Sequence, residues 1–496
     1  MPDSETPSVP QRIAVIGGGA SGLAAAHRLI ELSKEGSKRF EVTLFEASET
    51  PGGVAGTRQI GDYLVETGPD MFITNQPAAL NLCQRIGLSD ELIPTETEHR
   101  GSLVLRQGKP VRVPEGFMLI SPAKVWPVLT SRIFSPLGKL RMGLEYLLPR
   151  KKEQTDETLA GFVKRRFGSE AFDRLIQPLV GGIYTADPDK LSLQATLPRF
   201  LEMEQKHRSL IIASRKQAAA RESGSENDGS GARYGLFTAP RNGISVLFNR
   251  LLKVVREGAV VRLGEAVTSV SKQRTGGFSI TSNSGATDEF DGVVVALPAF
   301  HSAKTLEPSV TDRDETSLAD SMRKISELLN EIEYSSAAVV VSGHQLSDIE
   351  HPLDAFGLVI PAIENRKVLA ISFTSRKFPG RAPKGRILLR TFVGGAMQPE
   401  MLDQSDDEIT KTVLAELKSI LGVNGEPDFT EVCRYERAMP QYHLGHCERV
   451  ARIRELVAKI EGLELAGNAF SGVGIPDCIS SGESAAERLA EQLVQA

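Results

Sequence analysis

The chain has 496 residues, which at roughly 150 residues per domain points to two or three domains. Its 58 Lys and Arg against 63 Asp and Glu leave a net charge of −5, which excludes a bulk-basic nucleic-acid binder; no apolar run approaches the roughly 18 residues that a spanning helix needs. An apolar share of 41% is ordinary for a soluble globular protein, and four scattered cysteines (Cys83, Cys433, Cys447, Cys478) make no disulfide framework and suit a reducing cytosol.

In chain order, residues 1–10 read as a disordered leader, polar and proline-bearing, without the order of a signal peptide. RIAVI then forms a short β-branched run, GGGASG follows, AAAHRLIEL continues with helix formers, and EVTLFEA is a second apolar strand. That is a β-turn-α-β unit. Residues 110–220, rich in Leu, Arg and Lys with helical periodicity, are broken by prolines at 114, 122, 127, 136, 149 and 178 and read as a mainly helical module. Residues 221–233 (RESGSENDGSGAR) have the composition of a flexible loop. Strands resume with GAVVRL, AVTSVSK, GFSITS and GVVVALP; residues 335–395 alternate as strands do, and a helix follows over 405–421. The tail runs strand (LELAG), loop (NAFSGVG), then helix from Pro476 onward, and no repeat of fixed period occurs.

Gly17-Gly18-Gly19-Ala20-Ser21-Gly22 fits G-x-G-x-x-G between a strand and a helix. Gly17 allows the tight turn, Gly19 lets the backbone approach a pyrophosphate, and Gly22 lets helix and strand pack closely. The helix N-terminus offers N–H groups and partial positive charge to phosphates. Glu46, at the end of the second strand, is placed to hydrogen-bond a ribose 2′-hydroxyl and would repel a 2′-phosphate, which disfavours NADP. A glycine-rich loop in an unrelated α/β protein is the alternative; strand, helix and acid together weigh against it. FAD and NAD share this fingerprint. Two further glycine-rich turns, Pro51-Gly52-Gly53 and Gly68-Pro69-Asp70, suggest a longer cofactor. At Gly472-Val473-Gly474-Ile475-Pro476 two glycines would let backbone lie on a flat ring, and the helix behind them would stabilise a reduced, anionic flavin. A plain helix-initiating loop is the alternative there.

The segments GGGASGLAAA, LFEAS…PGG, ETGPD, VVVALP and GNAFSGVGIPDCISSG together resemble the FAD-dependent amine oxidase superfamily. GGIYTADPDKLSL, EQKHRSLI and MPQYHLGH are more similar to its protoporphyrinogen and coproporphyrinogen III oxidases, the soluble bacterial type above all. The resemblance implies an α/β fold: a Rossmann-like FAD-binding domain of the amine oxidase/glutathione reductase type, a mixed-sheet substrate domain and a helical insert. On that division the FAD-binding domain is discontinuous (11–100, 234–300 and 431–496), the helical, substrate- and membrane-facing module spans 101–220, and the substrate domain 301–430.

The resemblance also implies contacts with non-covalent FAD. Gly17 to Gly22 would hold the pyrophosphate, Glu46 the adenosine ribose with Ala47 beside it, and the Val267 backbone the adenine. Gly53, Val54, Gly68, Pro69, Asp70 and Met71 would line the flavin side, with Tyr435 and Val473, Gly474 and Ile475 as late flavin contacts. Leu179 and Gly182 would lie beside a substrate ring. Tyr435 is a departure, because relatives tend to carry Trp there. A second follows Phe72, where relatives often carry a cation for a propionate and this chain reads Ile73-Thr74-Asn75-Gln76-Pro77. The implied reaction is six-electron oxidation of a porphyrinogen to the porphyrin in heme biosynthesis. Three hydride transfers pass to FAD, and dioxygen is reduced to hydrogen peroxide. Coproporphyrinogen III is the expected first substrate and protoporphyrinogen IX the next. No catalytic residue is assigned, and aromatisation makes a strong protein base unnecessary. The rivals are an amine oxidase or carotenoid desaturase on the same fold, and a binding protein without redox chemistry.

His443, His446 and Cys447 lack the fourth ligand and spacing of a metal site, so no metal is expected. Cys478, at a helix start, is a place where thiolate character would rise. Residues 132–152 carry six cations against one acid, Glu145, interleaved with Ile133, Phe134, Leu137, Leu140, Leu144, Leu147 and Leu148. Such a segment would give a cytoplasmic protein weak, salt-sensitive contact with the inner face of a membrane. The alternative is a helix that packs its apolar side on the substrate module.

Overall fold

A computed structural model describes residues 10–35, 39–153, 155–222, 237–274, 276–308 and 317–495. The expected leader (all but Pro10) and the expected loop at 221–233 (all but its first two residues, which end the helix Leu210–Glu222) lie outside them.

The expected β-turn-α-β unit is β1 (Gln11–Ile16), α1 (Ala20–Glu35) and β2 (Phe40–Glu46). With β3 (Ala259–Leu263), β4 (Gly292–Val295) and β5 (Leu463–Leu465) these strands form a five-stranded parallel sheet in the order β3-β2-β1-β4-β5. The period-2 pattern of β1 explains why the sheet is covered on both faces. Ile13 and Val15 join a core built with α1, the helix Ser245–Arg256 and the C-terminal helix α2 (Ile475–Gln495). Ala14 and Ile16 join the opposite core, where the antiparallel strands Val267–Lys272, Phe278–Ser282 and Thr287–Phe290 pack with the helices Ala299–Leu306, Ser317–Asn330 and His446–Val457.

The second sheet has seven strands in the order Phe429–Pro440, Tyr334–Gln345, Arg386–Gly394, Ala370–Phe373, Gly357–Val359, Leu103–Arg106, Lys109–Arg112. One pair, Gly357–Val359 with Leu103–Arg106, is parallel, so the sheet is mixed. Its covering helix Asp406–Leu421 starts where the sequence indicates, because Ser405 and Glu408 form a reciprocal capping box. Three segments sit elsewhere than the expected division put them. Residues 431–440 pair with Tyr334–Gln345, residues 103–112 form the hairpin at one end of this sheet, and residues 317–330 pack on the nucleotide-binding side. Long-range pairing overrides proximity in the chain here.

The helical module packs on the second sheet through Val104 and Val359 and has its own core around Phe162, Phe167, Leu175, Leu179 and Phe200. The amphipathic stretch is not one helix: Pro136–Gly143 is helical, Leu144–Tyr146 is a single 3-10 turn, and the chain is irregular beyond it.

Candidate functional site

The glycine turn sits at the C-terminal end of β1, where parallel sheets of this kind take ligands. Gly17 has φ +108°, and its N–H donates to Phe45 O at 2.8 Å. A Cβ on Gly22 would stand 1.8 Å from Gly17 O, so helix and turn close only on glycine. A Cβ on Gly19, by contrast, would meet nothing within 4 Å. The first bond inside α1 runs from Leu23 N–H to Gly19 O, so the N–H groups of Ala20, Ser21 and Gly22 point ahead of the helix toward that open side. Gly52 N–H donates to Gly18 O at 2.9 Å, which carries the second glycine-rich turn across the first and sets Gly53, φ +62°, facing Gly19. The cradle fits a pyrophosphate.

Glu46 accepts the N–H groups of Gly18 at 2.5 Å and Ser48 at 2.7 Å, one on each carboxylate oxygen, and is thereby fixed at the strand end. Each oxygen keeps a lone pair for a ribose hydroxyl. Ala47 is exposed beside it. Glu265 N–H donates to Glu46 O at 2.9 Å, which brings the chain leading to Val267 alongside. The expected adenosine-side residues therefore come together.

Two residues expected as cofactor contacts have other employment. The Ser21 hydroxyl donates to Cys478 O at 2.8 Å and clamps α1 to α2, so only its backbone faces the cradle. The Asp70 carboxylate is buried and bonded to Lys377 at 2.8 Å, with Arg390 at 3.4 Å. Burial alone would raise its pKa, but the two cations outweigh burial and hold it at about 2. Arg390 also donates to Gly68 O, while a Cβ on Gly68 would lie 2.0 Å from Val54 O. What residues 68–71 offer a flavin is their backbone, with Pro69 and Met71 half-buried on either side of Asp70. Neither Lys377 nor Arg390 is marked by a local motif; the acid they serve lies 307 and 320 positions away.

A second buried pair sets Glu66 3.6 Å from Arg381. Burial pushes Glu66 up to about 7, against the hydroxyl of Thr57 and the Arg381 guanidinium, which pull it down. The folded protein therefore holds a proton on Glu66 that an unfolded carboxyl, titrating near ~4.3, has released. The stability this brings is full at low pH and is lost as pH rises through about 7. Glu66→Gln, which never ionises, should gain in thermal midpoint relative to the wild type between pH 5 and pH 8. A difference that stays flat across that interval would contradict the burial argument.

At the C-terminal turn Gly472, φ +144°, donates its N–H to the Tyr442 hydroxyl at 2.9 Å, and Gly474 donates to Asp477 Oδ2 at 3.1 Å. Val473 packs on the helical core, and Ile475, the first residue of α2, is buried in the nucleotide-binding core. Cys478 departs from expectation: burial dominates and pushes its thiol up to about 12, so it is no thiolate despite its place in the first turn of α2. The Tyr435 ring packs with Tyr63 and Val339, and its buried hydroxyl lies beside the Cys433 thiol.

Gly182 borders a small cleft between the helix Gln177–Tyr184 and the second sheet. Its other walls include Gln177, Thr185, Gly395 and Met397. Leu179, expected beside the substrate, instead packs in the helical core. Gly182 points outward there, since a Cβ on it would meet nothing within 4 Å. In HLGHC, the buried His446 ring stacks on Tyr442 at 4.3 Å, and His443 lies 3.6 Å from Glu333. Among the described residues no group of three or more His, Cys, Asp or Glu is arranged to hold a metal.

Comparison with known proteins agrees with this geometry. The family model for flavin containing amine oxidoreductases matches residues 20–490. The coproporphyrinogen III oxidase of Bacillus subtilis (strain 168) is 35% identical over 96% of this chain and 97% of its own. The mitochondrial protoporphyrinogen oxidase of Nicotiana tabacum is 28% identical over 97% of this chain and 95% of its own. The crystal structure of a candidate protoporphyrinogen oxidase from Exiguobacterium superposes with a TM-score of 0.82 at 26% identity, covering 98% of this chain and 100% of that one. A reduced UDP-galactopyranose mutase, 14% identical with a TM-score of 0.71 over 97% of this chain and 96% of its own, shares the fold. With its glycine cradle, its fixed Glu46 and a family match over nearly its whole length, the chain belongs to the flavin containing amine oxidoreductases, with FAD as its cofactor.

Proposed function

We propose that this chain oxidises a porphyrinogen to the porphyrin, with coproporphyrinogen III first and protoporphyrinogen IX next, and with dioxygen as acceptor. Bound FAD, held non-covalently, supplies the two-electron acceptor; over three rounds one porphyrinogen and three dioxygen give one porphyrin and three hydrogen peroxide. The observation that carries the reading is the likeness to a coproporphyrinogen III oxidase, that of Bacillus subtilis, 35% identical over 96% of this chain. The residues that line the cleft beside Gly182 include no aromatic side chain, so an amine would find no aromatic cage there. The chain's part is to exclude water and orient the ring. Turnover of both porphyrinogens in air should produce fluorescent porphyrin and peroxide at about 3:1 peroxide to porphyrin. Turnover of an amine panel with both porphyrinogens inert would overturn the reading.

We further infer a cytoplasmic protein that touches the membrane surface peripherally. Support comes from Trp126, Leu129, Leu137, Leu140, Leu144 and Leu147, which are exposed, while Ile133 and Phe134 are buried. Glu145, the lone acid of 132–152, is turned inward. It is fully buried and accepts from Arg166, the Ser209 hydroxyl and the Leu210 N–H. The outer face is left to leucines and to the exposed Arg132, Arg150 and Lys152, a composition that sits well in an anionic headgroup layer. Liposome flotation should recover the protein with anionic vesicles at low salt and lose it at high salt. Leu137→Asp/Leu140→Asp should abolish recovery. Equal absence of binding to anionic and neutral vesicles at both salts would leave these leucines without a lipid role.

A further inference from the structure

We propose that Tyr442 is a positioning residue that holds the C-terminal flavin turn in register with the substrate cleft; the proposal rests on the flavin reading above. The turn Gly472-Val473-Gly474 has little stiffness of its own, because two of its three residues lack a side chain. From within α2 it is gripped by Asp477, through Gly474 N–H. From outside α2 it is gripped by one phenol. The Tyr442 hydroxyl donates to Asn468 O and accepts from Gly472 N–H at 2.9 Å, so both ends of the loop before α2 close on a single oxygen.

Tyr442 is itself fixed from the cleft side. Its carbonyl accepts Ser192 N–H at 2.8 Å, and the neighbouring Gln441 amide donates to Ser335 Oγ at 2.9 Å and to Tyr184 O at 3.3 Å. Tyr184 ends the helix that presents Gly182 to the cleft. The next residue, Thr185, lines the cleft in a left-handed conformation, φ +47°, which is costly outside glycine. Its carbonyl accepts Ala396 N–H at 2.8 Å from the opposite wall. The buried His446 ring, stacked on the phenol with planes 21° apart, holds the ring plane. Cleft wall, Gln441–Tyr442 and flavin turn thus form one hydrogen-bonded chain, and a fixed distance between ring and hydride acceptor is what the reaction needs.

Tyr442→Phe removes both hydroxyl bonds and keeps the ring. Tyr146→Phe is the control: it removes a phenol hydroxyl that accepts from Arg215 at 3.3 Å and belongs to no link of this chain. Apoprotein of each is titrated with FAD, and visible circular dichroism of the bound flavin is recorded. Tyr442→Phe should bind FAD about tenfold more weakly and show an altered flavin band, while Tyr146→Phe matches the wild type in both. If Tyr442→Phe does not fold, His446→Leu carries the test, with a change in the same direction. A Tyr442→Phe protein, or in its place His446→Leu, that differs from wild type in melting temperature alone would overturn the proposal. A wild-type protein that binds no FAD would overturn the flavin reading, and this inference with it. Bound FAD without porphyrinogen turnover would refute only the substrate reading.

Discussion

Replacing Gly19 with Leu is expected to leave the fold standing and to strip the protein of FAD. No atom lies within 4 Å of where its Cβ would stand, so the side chain starts into the open space in front of the first turn of α1. The loss of a favourable N-terminal residue costs the helix at most about 1 kcal/mol, which a chain of this size tolerates. The same side chain occupies the approach path of a pyrophosphate toward the N–H groups of Ala20, Ser21 and Gly22. FAD released on heat denaturation should fall at least about tenfold, equivalent to about 1.4 kcal/mol or more, while far-ultraviolet circular dichroism stays that of the wild type. Gly22→Ala separates the two roles of the motif. Its Cβ would sit 1.8 Å from Gly17 O, so the turn itself must open and stability falls together with cofactor. A Gly19→Leu protein that purifies yellow with stoichiometric FAD would refute the cradle.

Gly19 and Gly22 are readable in one dimension because turn, helix and strand sit within thirty residues and each glycine answers a local steric demand. Glu46 is readable for the same reason. The periodicity of 405–421 and its Ser405 start were also local, and the structure places the helix there. Where the structure adds what the sequence does not announce, the partner is distant in the chain. The resemblance sets Asp70 on the flavin side, but no local motif announces that its carboxylate pairs with Lys377 and Arg390. Ser21 belongs to the fingerprint, yet its hydroxyl is claimed by Cys478 from the far end of the chain. The thiol of Cys478 follows burial rather than the helix N-terminus, and burial has no local signature. Glu145 counted as one acid against six cations until the fold turned it inward to Arg166. Tyr442 lay in a segment whose resemblance was noted, but a tyrosine gains a role only when the turn it grips is brought beside it.

Removing the charge of Asp70 is expected to be strongly destabilising. Asp70→Asn keeps the volume and leaves Lys377 and Arg390, both nearly inaccessible, without a counter-charge. Breaking a buried pair from one side typically costs about 3–5 kcal/mol, because the remaining charge is neither solvated nor paired. Lys377→Met alone should cost less, since Arg390 still faces the carboxylate and stays bonded to Gly68 O. The double variant Asp70→Asn/Lys377→Met should be more stable than the sum of the single losses predicts, the sign of direct coupling. The pH dependence follows from the depressed pKa. The contribution of Asp70 is complete above its unfolded value of ~3.9 and is lost as pH falls toward about 2. In denaturant melts the gap between wild type and Asp70→Asn should therefore be full at pH 7 and narrower at pH 3. Because Arg390 anchors Gly68, the same variant should also release FAD more readily than Glu66→Gln does. A gap below about 1 kcal/mol at pH 7, or strictly additive losses in the double variant, would show that these charges are solvated and that the flavin-side backbone is held by something else.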